Sequence, residues 1–194
     1  MKPHPSPLPK GEGAAQRRVR PRILRITQLG EAVLRRISKN VPWPLSRAHD
    51  RLIDDMISTM KKARGVGIAA PQVGAGLNLF IVAPEPSVRY PRAPHMAPVA
   101  MINPKLVRKS KKMVTDWEGC LSIPGLRGRV PRYHAIEIEF TARDGRRLRG
   151  TLTGFVARIF QHEFDHINGH VYLDRVKDPR TFIMETEYRK LRHV

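Results

Sequence analysis

Hydrophobic and polar positions follow two periods along the chain. Between Ser46 and Ala63, apolar residues fall at Leu52, Ile53, Met56, Ile57 and Met60, the spacing of a helix, and Gly65 is placed to stop it. The next stretch, GVGIAAPQVGAG (65–76), is too rich in glycine for a regular element, and NLFIVAP (78–84) then reads as a strand. A proline-rich loop from Pro84 to Pro98 leads into a second strand-like run, VAMINPKLV (99–107). Ile136, Ile138 and Phe140 alternate with polar residues, and the Asp144-Gly145 pair that follows signals a hairpin. From Gly154 to Asn168 the helical period returns through Phe155, Val156, Ile159, Phe160, Phe164 and Ile167. These positions cover more than one helical face, which predicts a buried helix, and Gly169 suits the position after its cap. The pattern predicts an α+β fold, with mixed, mainly antiparallel strands packed around a central buried helix.

That helix carries QHEFDH (161–166), an HExxH motif. His162 and His166 are four apart, so both imidazoles leave one face and can share an ion, with Glu163 beside it to handle protons. Burying such groups unpaired costs roughly 1–3 kcal/mol or more each, and a bound metal supplies the missing partner. Two imidazoles leave a tetrahedral site short of a third protein ligand. A third histidine at the spacing of one peptidase class would fall at position 172, which is Tyr172, and His170 comes too early. Glu185, 19 residues beyond His166, fits a second class of zinc endopeptidase. Cys120 offers a thiolate suited to a borderline-soft divalent ion, although a lone cysteine is more often a small buried hydrophobe.

A length of 194 residues fits one domain with a real core, and 41% hydrophobic residues place it among globular chains. No apolar run approaches the roughly 18 residues that span a bilayer, so no membrane partner is expected. A single cysteine excludes an internal disulfide and points to a reducing compartment. The net charge of +19 would draw the chain toward polyanions, RNA first among them. KLVRKSKK (105–112) and RDGRRLR (143–149) are the basic segments behind a rival reading, an RNA- or ribosome-binding protein with a structural metal. Residues 1–22 hold Lys2, Lys10, Arg17, Arg18, Arg20 and Arg22 against Glu12, with Pro3, Pro5, Pro7 and Pro9. They read as a disordered basic extension, with the folded domain running over 23–194.

Three separated segments, GVGIAAPQ (65–72), EGCLS (118–122) and QHEFDH (161–166), resemble the three motifs of peptide deformylases, in that family's order. ARIFQHEFDH is similar to the type 1 branch that includes organellar forms. The resemblance implies a hydrolase acting on a linear amide C–N bond, removing formyl from the N-terminal formylmethionine of newly made polypeptides. It implies Cys120, His162 and His166 as metal ligands and Glu163 as general base and then acid, with water activated by the ion. Gln72 and the backbone N–H of Leu121 would hold the formyl oxygen. Val66, Gly67 and Gly119 would border the substrate. It also implies Fe²⁺ in the cell, with Zn²⁺, Ni²⁺ or Co²⁺ as substitutes, N-formylmethionyl nascent peptides as partners, and a bacterial cytoplasmic location ahead of an organellar one. A basic surface would keep such an enzyme near ribosomal RNA. Arg158, one turn before His162, stands where many members carry an aliphatic residue near the methionine pocket. LGEAVL (29–34) lacks the family's Gly-Asp-Pro run, and the tail after Lys177 is short.

Overall fold

The computed structural model describes residues 20–86, 91 and 93–191. Most of the proposed extension, residues 1–19, lies outside them. Arg22, assigned to that extension by composition, is tied to the first helix: its backbone N–H and its guanidinium both donate to the Asp55 carboxylate.

Helix α1 covers Arg47–Lys62, with the Ser46 hydroxyl capping the His49 N–H. Its apolar side buries Ile53, Met56 and Met60. The left-handed residue beyond its end is Arg64 (φ 55°) rather than Gly65. Strands β1 (Gly67–Ala69) and β2 (Leu79–Val82) pair antiparallel, followed by β3 (Val99–Lys109). β1 lies within the glycine-rich stretch that composition assigns to irregular backbone. Its three residues are buried, and pairing with β2 overrides local propensity there. In β3, Asn103 adopts φ 49° just before Pro104, where the register to the next partner shifts. The Asn103 side chain is held by both the N–H and the C=O of Val41.

Strands β4 (Met113–Cys120) and β5 (Ile123–Tyr133) form a hairpin, and β6 (Ala135–Thr141) and β7 (Arg147–Thr153) form another. The β6–β7 turn carries Gly145 at φ 90°, as Asp-Gly predicts. Helix α2 (Gly154–Ile167) ends on Asn168, with Gly169 left-handed at φ 77°. A Cβ on Gly169 would also meet the Arg35 carbonyl at 2.9 Å, so glycine is required twice over there. Strand β8 (Ile183–Met184) and helix α3 (Glu185–Lys190) complete the described chain.

The strands form two antiparallel sheets, one in the order β1-β2-β3-β6-β7 and one in the order β4-β5-β8. Helix α2 packs on β1, β2, β6 and β7 of the first sheet and on β5 of the second. Phe160 meets Phe80 edge-on at 5.2 Å, fixing α2 against β2. The helix therefore brings its polar residues to the place where the two sheets approach one another. No helix among the described residues is long and apolar enough to cross a membrane.

Candidate metal centre

Three elements deliver the polar cluster. Cys120 ends β4, His162 and His166 project from one side of α2, and Gln72 lies in a 3-10 turn (Ala70–Val73) after β1. The ligand atoms of Cys120, His162 and His166 all lie within 4.8 Å of one another. Cys120 Sγ is 3.2 Å from His166 Nε2. His162 Nδ1 is 2.9 Å from Glu118 Oε2, which leaves Nε2 as its ligand atom. This carboxylate behind an imidazole is the arrangement that fixes ring orientation and tautomer in metal sites.

The titratable groups of the cluster perturb one another strongly. Burial alone would lower the His162 pKa, but bonds to Cys120 and Glu118 hold it well above the ordinary histidine value. His166 is held well below that value, first by burial and then by its cationic neighbours His162 and Arg132. Burial pushes the Glu163 carboxyl up to about 7. Among the described residues, the buried His166 Nδ1 and Glu163 Oε2 have no hydrogen-bond partner. A soft thiolate and two imidazoles of divergent basicity, crowded around one point, fit a borderline divalent ion.

A cavity of about 280 Å³ opens onto the cluster. Its lining includes Val66, Gly67, Gln72, Gly119, Cys120, Leu121, His162 and Glu163, while His166 is fully buried. Eight of the nine site residues expected from sequence thus share one cavity wall, and the ninth touches it through Cys120. The Gln72 carbonyl accepts from Ala69 N–H at 2.8 Å, which aims its amide at Cys120 Sγ and Ser122 Oγ, both at 3.3 Å. Gly67 has a reason beyond peptide approach. A Cβ there would lie 2.5 Å from Glu163 Oε1 and 2.9 Å from Ile159 Cγ2, so only glycine lets that carboxylate rest against β1. At Gly119 an added Cβ would meet nothing closer than 3.5 Å.

Glu185 does not join the cluster. It lines the outer cavity, and its carboxylate accepts from Arg127 and Arg189. The third-ligand role that spacing allowed it is therefore corrected in favour of Cys120, because these cations hold it elsewhere. Arg158 lines the cavity, in keeping with its expected place near the pocket, and its guanidinium bonds Glu118 and strand carbonyls.

Glu118, within the EGCLS segment, has a role that the motif alone does not reveal. Arg132 donates to both Glu118 oxygens at 2.9 Å and to Asp165 Oδ2 at 2.5 Å. Arg175 adds a second cation on Asp165, 2.7 Å from Oδ1. Burial opposes ionisation of Glu118, but Arg132 and His162 outweigh it and keep the carboxyl well below the usual range. The missed signal was an acidic residue two positions before the cysteine, on the same side of a strand.

The sequence model described as polypeptide deformylase matches residues 23–182. A protein of a Nostoc species named peptide deformylase 2 is 53% identical over 175 residues, covering 88% of this chain and 96% of its own. A Shewanella oneidensis protein of the same name is 42% identical over 164 residues, 84% of this chain and 90% of its own. Among solved structures, the Met-Ala-Ser-bound class I type b peptide deformylase of Acinetobacter baumannii superposes with a TM-score of 0.78 at 39% identity. It covers 79% of this chain and 98% of its own. The actinonin complex from Synechococcus elongatus gives 0.70 at 36% identity, with 81% of each chain covered.

Proposed function

The chain belongs to the polypeptide deformylase family, and from that premise we propose how its own residues remove the formyl group from N-formylmethionyl peptides. The observation that carries the reading is the convergence of one thiol and two imidazoles beside a buried carboxylate at a cavity. Cys120, His162 and His166 hold the ion. We take α2 as the central helix of the fold because both sheets pack on it and because it supplies two of the three ligands together with Glu163.

A divalent ion held by Cys120, His162 and His166 would supply an activated water, its pKa lowered to about 7, at neutral pH. Glu163 accepts the water's proton and returns it to the leaving amine. Burial raises its pKa in the metal-free protein, and a carboxyl drawn toward the working pH is suited to both halves of that cycle. Gln72 Nε2 and the Leu121 N–H donate to the formyl oxygen as negative charge builds there. Donors set in place beforehand in this way are each worth roughly 2.7–4 kcal/mol in comparable sites. Val66, Gly67 and Gly119 border the methionine and the peptide backbone, which glycine lets approach closely.

The ion in the cell is Fe²⁺, with Zn²⁺, Ni²⁺ or Co²⁺ able to replace it, and the setting is the bacterial cytoplasm. The donor set suits all of these ions, Fe²⁺ is what the family resemblance implies, and the single cysteine and the bacterial relatives support the cytoplasmic setting. The surplus of basic residues would hold the enzyme near ribosomal RNA, where formylated chains emerge. An anaerobic assay on formyl-Met-Ala-Ser, with metal analysis of the same preparation, tests the assignment. Formate release in proportion to bound metal is expected. Full metal occupancy without formate release would refute it.

A further inference from the structure

Arg158 sits on α2 one turn before His162 and is only 8% exposed. A guanidinium is costly to bury, so its partners indicate what it is there to do. Nη1 donates to Glu118 Oε1 at 2.7 Å and to the Val130 carbonyl at 2.9 Å. Nη2 donates to the Val114 carbonyl at 2.6 Å. One side chain of the helix thus gathers acceptors from both β4 and β5.

The arrangement forms two rungs between the same two elements. Arg158 and His162 lie four apart on α2, and Glu118 and Cys120 lie two apart at the end of β4. Arg158 grips Glu118, and His162 meets Glu118 through Nδ1. A strand held at Val114 and Glu118 cannot slide along α2 without breaking these bonds. Arg132 does different work: it comes from β5, the hairpin partner of β4, and reaches α2 through Asp165 and the Gln161 carbonyl. Arg158 and His162 both tie the helix directly to the strand that ends in Cys120, and Arg158 alone of the two also reaches back along it to Val114.

We propose that Arg158 is a positioning residue for the metal centre, registering β4 against α2 so that the Cys120 thiolate meets both imidazoles. The proposal rests on the metal-hydrolase reading above. It gives the departure from an aliphatic residue at this position a consequence for metal capture, apart from pocket shape.

The test compares Arg158→Met and Arg158→Lys with the parent chain. Zn²⁺ and Co²⁺ affinities are read by chelator competition, and turnover of formyl-Met-Ala-Ser is resolved into kcat and KM. The methionine variant should bind Zn²⁺ about 10–100-fold more weakly, as is typical when a ligand's supporting partner is lost. Its kcat should fall with KM near the parental value. The lysine variant, with one ammonium for three acceptors, should recover part of the affinity. It carries the test if the methionine variant does not fold. Parental metal affinity in the variants that fold, with only a lowered Tm or a raised KM, overturns the proposal. It would leave Arg158 as a structural or pocket residue. A parent chain that itself captures no metal would overturn the metal-centre reading along with it.

Discussion

Gly67 and Glu163 constrain one another, and both can be tested singly. Gly67→Ala puts a methyl group where the Glu163 carboxylate now lies, 2.5 Å from Oε1. Displacing a proton-transfer group by about 1 Å costs on the order of 10²-fold in rate. Steady-state kinetics should show kcat lowered by about that factor while metal content stays at the parental level. Glu163 also carries a stability cost whose sign follows from its environment. Burial raises the folded-state pKa to about 7, above that of the unfolded chain. Below the ordinary carboxylate range both states are protonated and the cost is absent. It grows as pH rises toward about 7, because the unfolded chain ionises first, and it is fully present above that. In metal-free protein, Glu163→Gln should therefore raise Tm by several degrees at pH 8, on the order of 3 kcal/mol, and by little near pH 4.5. Thermal melts at the two pH values check this, and equal shifts would contradict it. Cys120, His162, His166 and Glu163 could be picked out as candidates because chemistry-bearing residue types recur in short motifs. Glu118 was not, since its role depends on Arg132 and Arg158, which meet it only in the fold.

The junction of β4, β5 and α2 shows why some elements could be read from sequence and others could not. α1 and β6 each bury one periodic set of positions and α2 is buried on more than one side, so their patterns survive in the sequence, while exposed β7 shows through the Asp144-Gly145 turn that leads into it. β4 and β5 have no such alternation. Pro124, Gly125 and Pro131 interrupt β5, and both strands give positions to the charged network and the site. Buried charge replaces apolar pattern in this junction. Arg132 is 5% exposed and serves Glu118 and Asp165 together. Arg132→Met would leave two buried carboxylates short of their main cation, a loss that typically costs 3–5 kcal/mol or about 10 °C in Tm. Calorimetry of the metal-free variant measures it. A shift under about 2 °C would mean that Arg158, Arg175 and His162 suffice to hold those carboxylates.

Across the whole molecule, the surplus of positive charge is less uniform than composition suggests. Arg149 pairs with Glu137, Arg146 with Asp144, and Arg143 with Asp50 and Asp54, so most of the segment 143–149 is locally balanced, whereas in 105–112 the balancing contact is that of Arg108 with Glu137. The net charge of +19 nevertheless remains. Association with ribosomes should therefore be weak and steeply salt-dependent. Co-sedimentation should be evident at about 50 mM salt and lost by about 200 mM. No co-sedimentation even at low salt would remove the RNA-proximity reading. The proposed activity depends on something narrower, one sulfur and two ring nitrogens that would hold the ion. Its most direct test is the absorption spectrum of the Co²⁺-loaded chain beside that of Cys120→Ala, with formyl-Met-Ala-Ser turnover measured on the same samples. The account predicts a thiolate-to-cobalt band and turnover in the parent, both absent from the variant. A variant that keeps tight cobalt binding and parental turnover would contradict it.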